Sequence, residues 1–141
     1  MKNIEPYLIF DGNCEKAFTF YESVFGVKIA AIMRYKDMPT EAKKNVPESD
    51  MERVVHVLLT VSNKVSLMGS DSSGSIKTHI GDNVSLTLNM ESETEARHIF
   101  EKLSEGGKVT MPLEKTFFAD LYAMFTDKFG IHWMIVYTKG K

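Results

Sequence analysis

The sequence predicts an α+β fold: two βαβββ modules, each a curved mixed β-sheet with a helix on its outer face, which together enclose a cleft. Three observations predict it. Two stretches repeat apolar residues with the helical period, and each follows one short apolar run and precedes three more. Sliding the chain by 79 residues sets Ala17 on Ala96, Phe20 on Ile99, Tyr21 on Phe100, Glu22 on Glu101 and Val24 on Leu103. A second offset, of 67, overlays the last two runs of each half, placing the Ser62-Asn63 turn on Phe129-Gly130 and Leu67 on Met134.

The elements follow in order. "PYLIFD" reads as the first strand. "NCEKAFTFYESVFG" places Ala17, Phe18, Tyr21, Val24 and Phe25 on one helical face, with Asn13 as N-cap and Gly26 as the stop. "VKIAAIMRY", "RVVHVLLTV" and "KVSLMGS" complete the first module. The offsets differ by 12 residues, which is extra chain in the first half: the polar stretch "RYKDMPTEAKKNVPESD", 34–50, a candidate lid. "SDSSGSIKTHIGDN" reads as a Ser/Gly-rich linker. The second module begins with "VSLTLNM". Its helix, "SETEARHIFEKLSEGG", buries Ala96, Ile99, Phe100 and Leu103, starts on a Ser92–Glu95 capping box and stops at Gly106-Gly107. "KVTMPLEKTFF", "DLYAMFTD" and "IHWMIVY" follow, with Gly130 supplying positive φ at the last turn. The chain therefore reads as one domain over 1–141, built of modules at about 4–70 and 83–138.

Composition narrows the function classes. The 141 residues carry a net charge of −2, so there is no basic footprint for nucleic acid. No apolar run reaches the ~18 residues of a membrane span, and the first residues lack the apolar core of a signal peptide. The one cysteine, Cys14, can form no internal disulfide. Together these lead us to expect a cytoplasmic protein.

Three stretches resemble a known family: "YLIFDGNCEKAFTFYESVFG" at 7–26, "RVVHVLLTV" followed by "LMGSD" at 53–71, and "IFEKLSEGGKVTMPLEKTFFADLYAMFTDKFGIHWM" at 99–134. They look like the PhnB-like branch of the vicinal oxygen chelate superfamily, which includes glyoxalase I, extradiol dioxygenases and the bleomycin and fosfomycin resistance proteins. The resemblance implies a glyoxalase-like fold. The demethylubiquinone methyltransferase label often attached to this branch gains no support, because no Gly-rich turn links a strand to a helix as a nucleotide or S-adenosylmethionine site requires. The chain also departs from the branch at Phe118, Ala123 and His132, where Trp, Gly and Pro are usual.

Metal-dependent members of the superfamily take four ligands from the first and last strands of each half. The resemblance and the two offsets map these onto Pro6, Leu67, Ser85 and Met134, none of which suits a hard or borderline divalent ion. A one-residue change of register would offer Glu5 or Tyr7 at the first position. We therefore expect no metal and no cofactor. Of the histidines, His98 falls on an exposed helix face and His79 in the linker, while His56 and His132 lie mid-strand and share faces with Leu58 and Met134. His56 is the one candidate catalytic group, as a base at the cleft floor; its bland alternative is a hydrogen-bonded strand histidine. The expected cleft lining is His56, Leu58 and Met68 from the first half, and Phe118, Tyr122, Met124, His132 and Met134 from the second. Cys14 could be a helix-activated thiol, or a small residue that fits a helix start. Arg34 could clamp an anion or be merely solvated.

The sequence thus favours metal-free binding of an unknown small molecule, apolar or aromatic in character. The alternative is a lyase, isomerase or dioxygenase with a relocated metal or a histidine base. A homodimer is expected, with no nucleic-acid or membrane partner.

Overall fold

In a computed structural model, which describes residues 1–140, the chain divides into two compact units, Met1–His79 and the part from Ile80 onward. The first unit contains β1 (Tyr7–Phe10), α1 (Cys14–Phe25), β2 (Ile29–Arg34), two single 3-10 turns (Tyr35–Asp37 and Glu48–Asp50), β3 (Val54–Ser62) and β4 (Val65–Asp71). The second contains β5 (Leu86–Asn89), α2 (Glu93–Leu103), β6 (Lys108–Glu114), β7 (Leu121–Thr126) and β8 (His132–Tyr137). The expected βαβββ order is present twice. Each unit is one open mixed sheet, ordered β1-β4-β3-β2 and β5-β8-β7-β6. The first strand of each runs parallel to the last, and the other pairings are antiparallel. Neither helix is long and apolar enough to cross a membrane.

Each helix covers one sheet face. Cys14, Ala17, Phe18, Tyr21 and Val24 are buried on α1, and the strand positions buried with them alternate: Leu8 and Phe10, Val57 and Leu59, Leu67 and Gly69. Phe18 meets Phe10 and Tyr21 edge-on, at ring separations of 6.3 and 5.5 Å. In the second unit Ala96, Ile99 and Leu103 cover Ala123, Phe125, Trp133 and Ile135. Burial of a large apolar side chain contributes about 1.5–3 kcal/mol, so these two faces dominate the stability of their units.

The helix starts differ from the reading of the sequence. Asn13 makes no side-chain cap bond. The carboxylate of Asp71, 2% exposed at the end of β4, takes over instead: its Oδ1 accepts from Gly12 N–H at 2.8 Å and Cys14 N–H at 3.0 Å. Its Oδ2 accepts from Val54 N–H at 3.0 Å. One buried charge thus fixes the start of α1 and the start of β3 onto the end of β4. Ser92 does cap α2, accepting from Glu95 N–H, but the Glu95 carboxylate returns to Glu91 N–H and so closes the box one residue early. Gly26 ends α1 at φ 67°, as expected.

The 34–50 stretch is anchored to its own unit at its start: Arg34 pairs with Glu15 at 2.9 Å, Tyr35 N–H donates to Arg53 O, and the Tyr35 hydroxyl donates to Asp71 O at 2.7 Å. The linker also begins inside the first unit, because Ser73 Oγ and Gly74 N–H both donate to Asp50 Oδ2. Residues 80 and 81, by contrast, pack within the second unit, where Gly81 O meets His132.

Candidate functional site

With one face of each sheet under its helix, chemistry falls to the other, open face. In the first unit this face carries Tyr7 and Ile9 of β1, Met68 and Ser70 of β4, His56 and Leu58 of β3, and Met33 of β2. The register aligns Tyr7, Met68, Leu58 and Ala31 in one row across all four strands. In the second unit the corresponding row is Thr87, Met134, Met124 and Met111.

These rows correct the offset read from the sequence. Met68 and Met134 occupy the same place, each beside the first strand of its sheet, so the true offset for the last two strands is 66. Leu67 points the other way and is buried to 4% beside Leu59, under the helix. A one-residue slip exchanges the two faces of a strand, and the Ser62-Asn63 turn, with its register shift, conceals that residue. In this register the positions that the resemblance implies for metal ligands would fall on Tyr7, Met68, Thr87 and Met134, where the sequence reading set them on Pro6, Leu67, Ser85 and Met134. Two thioethers and a threonine hydroxyl are poor donors for a hard or borderline divalent ion, so the row does not fit the metal that the fold implies. Among the described residues of either unit, no three His, Cys, Asp or Glu side chains converge as a metal site.

His56 shares its face with Leu58, as expected, and has one polar partner among the described residues. The Tyr7 Oη lies 3.2 Å from its Nδ1, with ring centroids 5.8 Å apart and planes 31° from parallel. Sequence reading held Tyr7 only as a register alternative; the parallel β1–β4 pairing brings it across the sheet. His132 is different. Its Nε2 lies 2.7 Å from the carbonyl of Gly81 and its Nδ1 2.8 Å from Thr126 Oγ1. A carbonyl only accepts, so Nε2 carries a proton; in the neutral ring Nδ1 then accepts from the threonine hydroxyl. Both nitrogens are engaged, which fastens His132 to the 80–81 segment and to β7.

Around Met134 the open face is aromatic. Tyr122 donates its hydroxyl to Met134 Sδ at 3.0 Å, and Phe118 meets Tyr122 edge-on at 4.9 Å. Phe117 continues the series at 5.1 Å from Phe118 and is fully exposed. Met124 completes the face, half-buried opposite Met134.

The remaining candidates are structural. Cys14 is fully buried, and burial, reinforced by the Asp71 carboxylate, pushes its thiol well above the usual range. Any lowering by the helix start is overruled. Arg34 is held by Glu15 and by the Glu52 carbonyl and is not a free anion clamp. His79 and His98 are exposed.

Comparison with known proteins agrees with this architecture. The family model described as 3-demethylubiquinone-9 3-methyltransferase matches residues 2–136. Protein YjdN of Escherichia coli (strain K12) is 30% identical over 94% of this chain and 92% of its own length. Protein PA1353 from Pseudomonas aeruginosa superimposes with a TM-score of 0.86, at 36% identity over 98% of both chains. A putative 3-demethylubiquinone-9 3-methyltransferase, the PhnB protein from Bacillus cereus, gives 0.78 at 29% identity, over 97% of this chain and 100% of that one. A glyoxylase/bleomycin resistance/dioxygenase domain from Frankia sp. EAN1pec shares the fold alone, at 14% identity and a TM-score of 0.69 over 99% of both chains.

Proposed function

The chain belongs to the 3-demethylubiquinone-9 3-methyltransferase family, the PhnB-like family, and from that premise we propose that it binds a small apolar or aromatic molecule on its open sheet faces, without a metal. The observation that carries this reading is the content of the ligand row. Where the fold implies metal ligands, Met68 and Met134 stand with Tyr7 and Thr87, beside exposed Ile9, Met33, Met111 and Phe118. Thioethers and aromatic rings adapt to flat apolar shapes. Methyl transfer is disfavoured, because the start of α1 is filled by Asp71 and that of α2 by Ser92.

Native mass spectrometry of the untagged protein tests this. Before and after incubation with Zn(II), Ni(II) and Mn(II), the expected spectrum shows no ion retained at one per chain, and an organic adduct or an uptake of small aromatic probes. The same spectrum reads the expected dimer. One divalent ion per chain surviving desalting would overturn the reading. One observation favours a second reading, a lyase, isomerase or dioxygenase with His56 as base: the hydrogen-bonded Tyr7–His56 pair.

A further inference from the structure

We propose that Tyr7 and His56 form the polar anchor of a ligand site on the open face of the first unit, and that the site takes an aromatic compound bearing a hydroxyl on its ring. The inference rests on the binding reading above and names its ligand class.

The geometry points to a hydroxyl in particular. A hydrogen bond between Tyr7 Oη and His56 Nδ1 can be made in two ways. If the tyrosine donates, Nδ1 accepts, Nε2 carries the imidazole proton, and the pair offers the ligand Nε2–H as donor and the phenol oxygen as acceptor. If Nδ1–H donates, Nε2 becomes the acceptor and the tyrosine hydroxyl the donor. In either state one donor and one acceptor remain, and among the described residues His56 Nε2 has no protein partner. A ligand hydroxyl, which can donate or accept, meets His56 Nε2 in either state. A carbonyl or ether meets it only where Nε2 carries the proton, and a hydrocarbon in neither.

The surroundings supply the rest of the class. Met68 lies in register with Tyr7, Ile9 follows two residues along β1 and is 53% exposed, and Met33, 46% exposed, pairs with His56. These are apolar, adaptable walls for a flat ring. No charged side chain occupies this face between Tyr7 and His56, so an uncharged body is preferred to a strongly ionic one. The second unit provides an internal contrast. The 66-residue offset sets Tyr122 on His56, and the hydroxyl of Tyr122 is directed to Met134 sulfur. The anchor therefore belongs to the first unit.

The test is equilibrium dialysis of the full chain against 4-nitrophenol and against nitrobenzene, which lacks the hydroxyl. Wild type is expected to hold 4-nitrophenol roughly tenfold more tightly, about the worth of one or two hydrogen bonds at a partly exposed site. Tyr7→Phe and His56→Gln should each bring the probes within about twofold of one another, by weakening 4-nitrophenol more than nitrobenzene. Tyr122→Phe should preserve the preference, and circular dichroism checks that each variant folds. Equal binding of the two probes by wild type, or a preference that survives both Tyr7→Phe and His56→Gln, overturns the anchor and leaves the binding reading standing. If wild type binds neither probe, both readings fall.

Discussion

Across the open face of the first unit the row reads Tyr7, Met68, Leu58 and Ala31; across the second it reads Thr87, Met134, Met124 and Met111. The ladders are the same and only the methionine beside the first strand is shared. Under the helices the contrast continues. Phe18 of α1 overlays Arg97 of α2, which lies on the surface paired with Glu93 at 2.7 Å. Gly69 of β4 overlays Ile135 of β8. The first unit fills its core from the helix and keeps its strand bare, while the second does the reverse. A duplicated backbone fixes where side chains point, and leaves open which element supplies volume or polarity.

The buried carboxylates give the largest expected difference. Asp71 joins segments far apart in sequence, Gly12 and Cys14 on one side and Val54 on the other. Asp127, 3% exposed, works inside its own turn, accepting from Phe129 N–H, Ile131 N–H and Trp133 Nε1–H. Hydrogen bonds to a charged group contribute about 1.5–3 kcal/mol each, and the groups left behind are buried. Asp71→Ala should therefore cost about 4–5 kcal/mol and Asp127→Ala about 2–4, because its donors stay near one another in a short hairpin. Each unit holds its own reporter: Cys14, the one cysteine, and Trp133, the one tryptophan. Urea unfolding followed by thiol labelling and by tryptophan fluorescence would show the order, and equal costs would refute the contrast between long-range and local bracing.

A smaller effect tests the exchange of volume. Glycine to alanine in a strand normally helps, by restricting the unfolded chain. At Gly69 a Cβ would stand 2.7 Å from both Leu8 O and Phe18 Cε2. Gly69→Ala should accordingly destabilise by about 1–3 kcal/mol, although its counterpart position holds the much larger Ile135. A neutral or stabilising result in thermal unfolding would mean that Phe18 gives way easily.

Much of this frame was legible in the sequence. Ala17 and Ala96, Tyr21 and Phe100, and Val24 and Leu103 repeat at helical spacing, and strand alternation around Val57–Leu59 and Phe125 is strong enough to mark which face is buried. What escaped was whatever depends on register or on contacts distant in sequence. The offset of 67 was a natural reading of two apolar strands joined by a short turn, since Leu67 and Met68 are both apolar and only the ladder separates core from open face. Asp71 resembled a linker residue because its three donors lie 17 to 59 positions away. The Tyr7–His56 contact spans 49 residues and needs β1 parallel to β4, which no local pattern announces. His132 was read by its strand face, correctly, but its partners Gly81 and Thr126 belong to a loop and a neighbouring strand.

The smallest predicted effect again separates the units, through pH. Burial raises both Cys14 and Tyr35 above their ordinary ranges, and both lie in the first unit. For each the neutral form is favoured in the folded state. Their contribution is therefore complete below the unfolded-state pKa, about 8.5 for a thiol and about 10 for a phenol. It is lost as pH rises past those values, because the unfolded chain then releases protons that the folded one retains. Tyr35 donates its hydroxyl to the Asp71 carbonyl, so ionisation would also set a negative oxygen against that acceptor. Between pH 8 and 11 the first unit should lose stability, read by a falling urea midpoint for Cys14 labelling at fixed short reagent pulses. Cys14→Ala and Tyr35→Phe should each flatten the decline measured by circular dichroism, after allowance for their cost at neutral pH. A decline that neither substitution alters would place the alkaline sensitivity elsewhere, and would remove pH as a means of telling the two halves apart.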